Sequence, residues 1–172
     1  FRKRLRKEFG ITIRFFMCGE YGSTGNLAHF HALIFNFGFP DRKLWQIRNG
    51  VRLYRSELLE SLWEFGFSSV GDVTFESAAY VARYIVKKVT GDDARDHYRC
   101  YDPFTGEMHY RTPEFTNMSL RPGIGQPWWD VYGQGVMDWD TVVIRGKEMK
   151  PPKFYNGLYE LHTSYSIEDS GK

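Results

Sequence analysis

The chain has 172 residues, 42% hydrophobic and 17% aromatic, enough to build a packed core and unlike a disordered segment. Its formal net charge of +2 does not by itself announce a nucleic-acid partner, although residues 1–7 concentrate cations that either form a solvated helix face or meet phosphates. Cys18 and Cys100 lie far apart without CxxC spacing, and no apolar run nears the roughly 20 residues of a membrane helix, which argues against a disulfide framework, a thiolate zinc cluster and a membrane span.

In chain order, Phe1, Leu5 and Phe9 recur every four residues, the spacing of one helical face, and Gly10 follows as the stop. The chain lacks a starting Met and opens inside this helix, which points to a segment upstream. Residues 11–20, rich in β-branched and aromatic side chains, predict a strand. A turn-rich stretch at 21–26 separates it from a second strand at 28–35, and the two make an antiparallel hairpin. A loop through Pro40 leads to a helix at 57–65, capped by Ser56 and ended by Gly66. Residues 68–74 predict a short strand and 75–89 a helix closed by Thr90 and Gly91. Residues 97–101 and 107–111 flank a turn as a further hairpin, 113–127 is loop-like, and 142–150 is a basic strand or hairpin ending at Pro151 and Pro152. The expectation is one α+β domain over 1–155 with a mainly antiparallel sheet, followed by a tail at 156–172.

Two clusters carry chemistry. His29 and His31 are one residue apart on a strand, so both imidazoles leave the same face while Phe30 points the other way. Alone, such a pair is as readily a polar sheet face as a metal site. If the register sets Glu20 opposite His29 and Cys18 opposite His31, a carboxylate joins two nitrogens with coordination positions left open.

The second cluster is the helix at 75–89. Ala78, Ala82, Ile85, Val86 and Val89 fall on one apolar stripe, while Tyr80, Tyr84, Arg83, Lys87 and Lys88 fall on the opposite side. Tyr80 and Tyr84, four apart, are neighbours on that face. Tyrosines on a helix usually pack, but this stripe is complete without either ring. Phenol ionises only near pH 10, so nearby Lys⁺ and a metal that polarises a phosphate are the help it needs as a nucleophile.

Cys18-Gly19-Glu20, His29-Phe30-His31 and the segment from Tyr80 to Lys88 together resemble the HUH endonuclease superfamily, and more closely the replication initiation proteins of microviruses, especially the gokushovirus branch. The segments 14–22, 65–74 and 117–125 are similar to that family as well, and the likeness reaches about Pro152. The resemblance implies a five-stranded antiparallel sheet of the HUH/RRM-like kind with flanking helices. The family's earlier motif, an apolar strand ending in Thr-x-Thr-Tyr-like residues, is absent and would lie before Phe1, so this chain is expected to lack its first strand. The resemblance also implies Glu20, His29 and His31 as ligands of Mg²⁺ or Mn²⁺, Tyr80 and Tyr84 as paired nucleophiles, and Lys87 or Lys88 as helper.

The activity so implied is site-specific nicking and rejoining of single-stranded phage origin DNA through a 5′-phosphotyrosine, without a small-molecule cofactor. It is the chemistry of rolling-circle replication in a host bacterial cytoplasm, with host helicase and polymerase as partners. Arg2, Lys3, Arg4, Arg83, Arg145, Lys147 and Lys150 are candidate phosphate contacts, and Trp128 and Trp129 candidate base platforms. Two rivals remain open on the residues: a metal hydrolase in which Glu20, His29 and His31 hold Zn²⁺ and activate water, and a non-catalytic RRM-like nucleic-acid-binding module.

Overall fold

A computed structural model describes residues 1–22, 27–83 and 88–169, with side chains at the C-terminal end described as far as Thr163. The chain is α+β, and its contacts divide it into two units, Phe1–Ser119 and Leu120–Lys172.

Unit 1 opens with α1 (Arg2–Phe9), which buries Leu5 completely. Gly10 ends it at φ 63°, a left-handed position open to a residue without Cβ, and donates its N–H to the Arg6 carbonyl. The main sheet has three strands among the described residues, in the order β2 (Ala28–Phe35), β1 (Arg14–Tyr21), β7 (Phe115–Met118), with both pairings antiparallel. The expected five-stranded sheet is therefore built only in part. The remaining strands form separate hairpins: β3 (Lys43–Arg48) with β4 (Val51–Arg55), and β5 (Arg99–Tyr101) with β6 (Met108–Tyr110).

Helix α2 (Glu57–Leu62) starts where Ser56 Oγ accepts the Leu59 N–H at 3.0 Å. Asp41 secures that cap from outside, accepting from Ser56 Oγ at 2.6 Å and from the Leu58 N–H at 2.9 Å. The helix stops three residues before its expected end, because Trp63 turns to extended backbone and carries its ring out to Phe30. The core of the unit joins Leu5, Ile13, Phe39, Leu59 and Leu62, with Ile34 of β2 packed against them. The strand expected at 68–74 reduces to a single bridge between Val70 and Tyr54.

Helix α3 (Phe75–Ala82) follows, begun by a capping box in which Thr74 and Ser77 bond each other's backbone N–H. The helix expected over 75–89 is helical through Ala82 and makes a tighter turn at Arg83. Residues 84–87, and with them Tyr84 and Lys87, lie outside the described residues, and 88–90 are not helical. Its buried residue is Val81, while Ala82 is exposed, so the inward stripe is rotated from the one expected. The expected stripe was phased by Ile85, Val86 and Val89, which do not extend this helix in the described residues. Helix α4 (Ala94–Tyr98) then leads into β5, and Asp102 turns the β5–β6 loop by accepting the Phe104 and Thr105 N–H groups, both at 2.8 Å.

Unit 2 holds α5 (Gln126–Trp139), the hairpin β8 (Val142–Ile144) and β9 (Lys147–Met149), and α6 (Lys153–Asp169). Trp129, Gly133 and Val136 make the buried face of α5 at i, i+4, i+7 spacing. Trp129 lies over Gly133, where a Cβ would come within 2.5 Å of the indole, and meets Tyr155 at 5.2 Å. It is therefore core here and not an open base platform, whereas Trp128 remains 43% exposed beside Tyr155.

Candidate metal centre

The β1–β2 register pairs Glu20 with His29 and Cys18 with His31, as the alternation argument required. Glu20 and Cys18 thus share one sheet face with both histidines. Glu20 Oε1 lies 2.7 Å from His29 Nε2 and 3.3 Å from His31 Nε2, and the three donor atoms fall within 4.8 Å of one another. Ligands held at about 2.1 Å and at right angles around a divalent ion sit about 3 Å apart, so this spacing fits a shared ion. The donor set, two imidazoles and a carboxylate, suits Mg²⁺, Mn²⁺ or Zn²⁺ and leaves coordination positions open.

Exposure grades the three ligands. The Glu20 side chain is only 2% exposed, His31 is 26% and His29 43%. A carboxylate so buried needs positive charge close by, and a bound cation between the imidazoles would supply it. His29 is oriented by its other nitrogen: Nδ1 lies 3.2 Å from the Leu27 carbonyl, which can only accept, so Nδ1 carries the hydrogen. That leaves the Nε2 lone pair facing Glu20, the form a metal ligand needs.

Helix α3 packs against β2 and brings Tyr80 to the centre. The Tyr80 ring stands edge-on to the His31 ring with centroids 6.0 Å apart, and its side chain is half exposed. Of the residues expected to act with it, Lys88 is described and exposed beyond the helix, and Arg83 is exposed at its end. The chain past α3 is held by Tyr98, a residue missed in the sequence because its neighbours read as a strand. Its buried hydroxyl accepts the Val89 N–H at 3.0 Å and donates to Glu114 Oε2 at 2.5 Å. Burial, then the bond to Glu114, pushes the Tyr98 phenol above its usual pKa.

The expected phosphate contacts are scattered. In α1, Arg2 stacks on Phe15 at 4.6 Å, Arg4 pairs with Glu64 at 2.6 Å and Lys3 is exposed. Arg145 and Lys147 are exposed on the β8–β9 hairpin of unit 2, and Lys150 lies 3.4 Å from Asp140. No helix among the described residues is long and apolar enough to cross a membrane.

A family model for replication-associated proteins of the ORF2 type matches residues 1–89, just over half of the chain. Replication-associated protein VP4 of Bdellovibrio phage phiMH2K is 33% identical over 158 residues, covering 91% of this chain and 46% of the relative. Replication-associated protein ORF2 of Spiroplasma virus 4 is 30% identical over 171 residues, covering 93% of this chain and 48% of the relative. Replication-associated protein ORF4 of Chlamydia phage 1 is 38% identical over 106 residues, 54% of this chain and 26% of the relative. The chain thus spans at most about half the length of these relatives. No solved structure matches it. The family match covers β1, β2 and α3, the elements that carry Glu20, His29, His31 and Tyr80, and the chain belongs to the ORF2 family of replication-associated proteins.

Proposed function

We propose that this chain holds the nicking and joining centre of a rolling-circle replication initiator, an HUH-type endonuclease acting on single-stranded phage origin DNA through tyrosine. The observation that carries the reading is the approach of Tyr80 to a three-residue donor set on one sheet face. The names of the relatives, replication-associated proteins of phages and of a Spiroplasma virus, support the replication half of it.

Glu20, His29 and His31 would hold Mg²⁺ or Mn²⁺, which supplies positive charge to the scissile phosphate. Tyr80 is the described nucleophile. Its phenolic oxygen bonds to phosphorus, the bond from phosphorus to the 3′-oxygen breaks, and the phenol's proton ends on that oxygen. The products are a 5′-phosphotyrosine and a free 3′-hydroxyl for host polymerase to extend behind a host helicase, in the host cytoplasm. Lys88 and Lys87 are the proposed helpers of phenolate formation, and Tyr84 the second nucleophile, which cleaves the regenerated origin so that the freed 3′-hydroxyl closes the circle. Phosphodiester energy is conserved in the protein–DNA bond, so joining needs no nucleotide.

The test uses labelled single-stranded origin DNA with Mn²⁺, resolved on a denaturing gel for the wild type, Tyr80→Phe, Tyr84→Phe and the double variant. Label that stays with the protein, requires metal and disappears in the double variant is the expected result. Free nicked DNA at wild-type yield from the double variant would overturn the tyrosine mechanism in favour of a water-activating hydrolase.

A further inference from the structure

The sheet has a second face, and the triad does not use it. Gly19 faces away from Glu20's side of β1 and pairs with Phe30 on β2 and Phe115 on β7. The two phenyl rings close over the glycine with centroids 6.2 Å apart, and a Cβ on Gly19 would sit 2.6 Å from the Phe115 ring. Phe30 continues to Trp63 at 5.3 Å, and Trp63 to Phe65 at 5.2 Å. Four rings therefore run in contact across the back of the sheet. Phe30 is 46% exposed, Phe115 41% and Phe65 71%. A cleft of 290 Å³ opens over Gly19 between Phe30 and Phe115, and its lining extends to Glu20 and His29.

A contiguous exposed apolar surface marks a binding site, and the charge at its ends says for what. At one end lies α1, five of whose eight residues are Arg or Lys; Phe1 before it meets Trp63 at 6.1 Å, and its Arg2 lies over Phe15. At the other, Arg111 lies over the Tyr21 ring at 4.9 Å, and Tyr21 lines the cleft. Flat open rings between cations suit a polyanion with flat apolar bases, whereas an apolar protein segment has no use for the flanking charge.

We propose that the back of the sheet is a single-stranded-DNA track, with bases stacked on Phe115, Phe30, Trp63 and Phe65 and phosphates met by α1 and Arg111. The track rests on the DNA-directed reading above for its ligand class and adds a surface the nicking chemistry does not need. Because the cleft lining reaches Glu20 and His29, DNA held there is delivered beside the metal centre.

Fluorescence anisotropy with fluorescein-labelled oligo(dT), in EDTA so that no nicking occurs, measures the track alone. Phe30→Ala and Phe115→Ala are expected to weaken binding about tenfold each. Phe65→Ala, at an exposed ring whose loss leaves the core intact, is expected to weaken it about fivefold, while Tyr80→Phe leaves it unchanged. Photocrosslinking of the wild type with iododeoxyuridine oligonucleotides is expected to label peptides holding Phe30, Trp63 or Phe115. Unchanged affinity in the Phe65→Ala and Phe30→Ala variants, crosslinks confined to other peptides, or no oligo(dT) binding at all would each overturn the track. Those outcomes leave adduct formation on origin DNA untouched. Loss of the adduct with ring-dependent binding retained would instead sink the tyrosine mechanism and keep the track.

Discussion

The β1–β2 hairpin and helix α3 meet at the same centre but are held very differently. The hairpin is a run of eight cross-strand pairs, braced on its other edge by β7, with Glu20 and Cys18 buried in the middle. Helix α3 has eight residues, a capping box at its start and one buried side chain, Val81. Elements with few buried contacts open locally at low cost, and densely paired strands do not. The molecule thus sets a fixed donor platform against a lightly held arm that bears Tyr80. That division suits the proposed chemistry: ligands must stay converged through the reaction, whereas the nucleophile has to receive a DNA end and later give it up.

The largest effect is expected from breaking the platform without unfolding it. Glu20→Gln keeps the shape but removes the charge, and Mn²⁺ binding by calorimetry should weaken by at least about 100-fold. Stability should stay within about 1 kcal/mol in a thermal melt, since a buried carboxylate contributes little once its desolvation is counted. Wild-type Mn²⁺ affinity in Glu20→Gln would show that the hairpin is not the platform.

A smaller effect is expected at the far end of the arm, where Tyr98 ties the Val89 N–H to Glu114. Tyr98→Phe removes one bond to each and should cost about 1–3 kcal/mol in denaturant melts. The phenol also carries a pH signature. Its pKa is raised in the folded protein, chiefly by burial and then by Glu114, so its stabilisation is complete below the unfolded value of about 10. That stabilisation is lost as pH rises through the higher folded value. The wild type should lose stability in that alkaline window, and Tyr98→Phe should lose less. Parallel curves for the two proteins would remove Tyr98 as the anchor.

The same contrast governs what could be read from residues alone. The hairpin register followed from alternation across a strand, because a one-residue slip would send Glu20 and the histidines to opposite faces. Helix α1, its Gly10 stop and the Ser56 cap followed from local chemistry as well. The length of α3 did not, because its apparent stripe was set by residues beyond Ala82. Strand β7 was hidden by its own composition: Thr116 and Asn117 are polar, Pro113 precedes them, and their pairing with β1 spans about a hundred residues of chain. The β3–β4 hairpin did carry a local signal that was passed over, Asn49-Gly50 at φ 50° and 78°, the pair a tight two-residue turn demands. Helix α5 was masked by Gly133 and Gly135, which count against a helix until Trp129 is seen to need the space above Gly133. The rings of the back face read as strand and helix-end formers one by one, and only the fold places them in contact.

The smallest expected effect most sharply separates arm from platform. Thr74 begins α3, its hydroxyl accepting the Ser77 N–H at 3.2 Å while Ser77 Oγ accepts the Thr74 N–H at 2.8 Å. Thr74→Ala removes half of that box and should destabilise the helix by about 1 kcal/mol. On an element with one buried anchor, that is enough to shift Tyr80 away from His31 for part of the time. The expected outcome is a few-fold drop in covalent adduct with Mn²⁺ affinity unchanged, and recovery in Thr74→Ser, which restores the hydroxyl. A purely global destabilisation would lower both readouts together near the melting temperature and neither well below it. Metal affinity falling in step with adduct yield at low temperature would mean that α3 supports the ligands too, and the separation of platform from arm would fail.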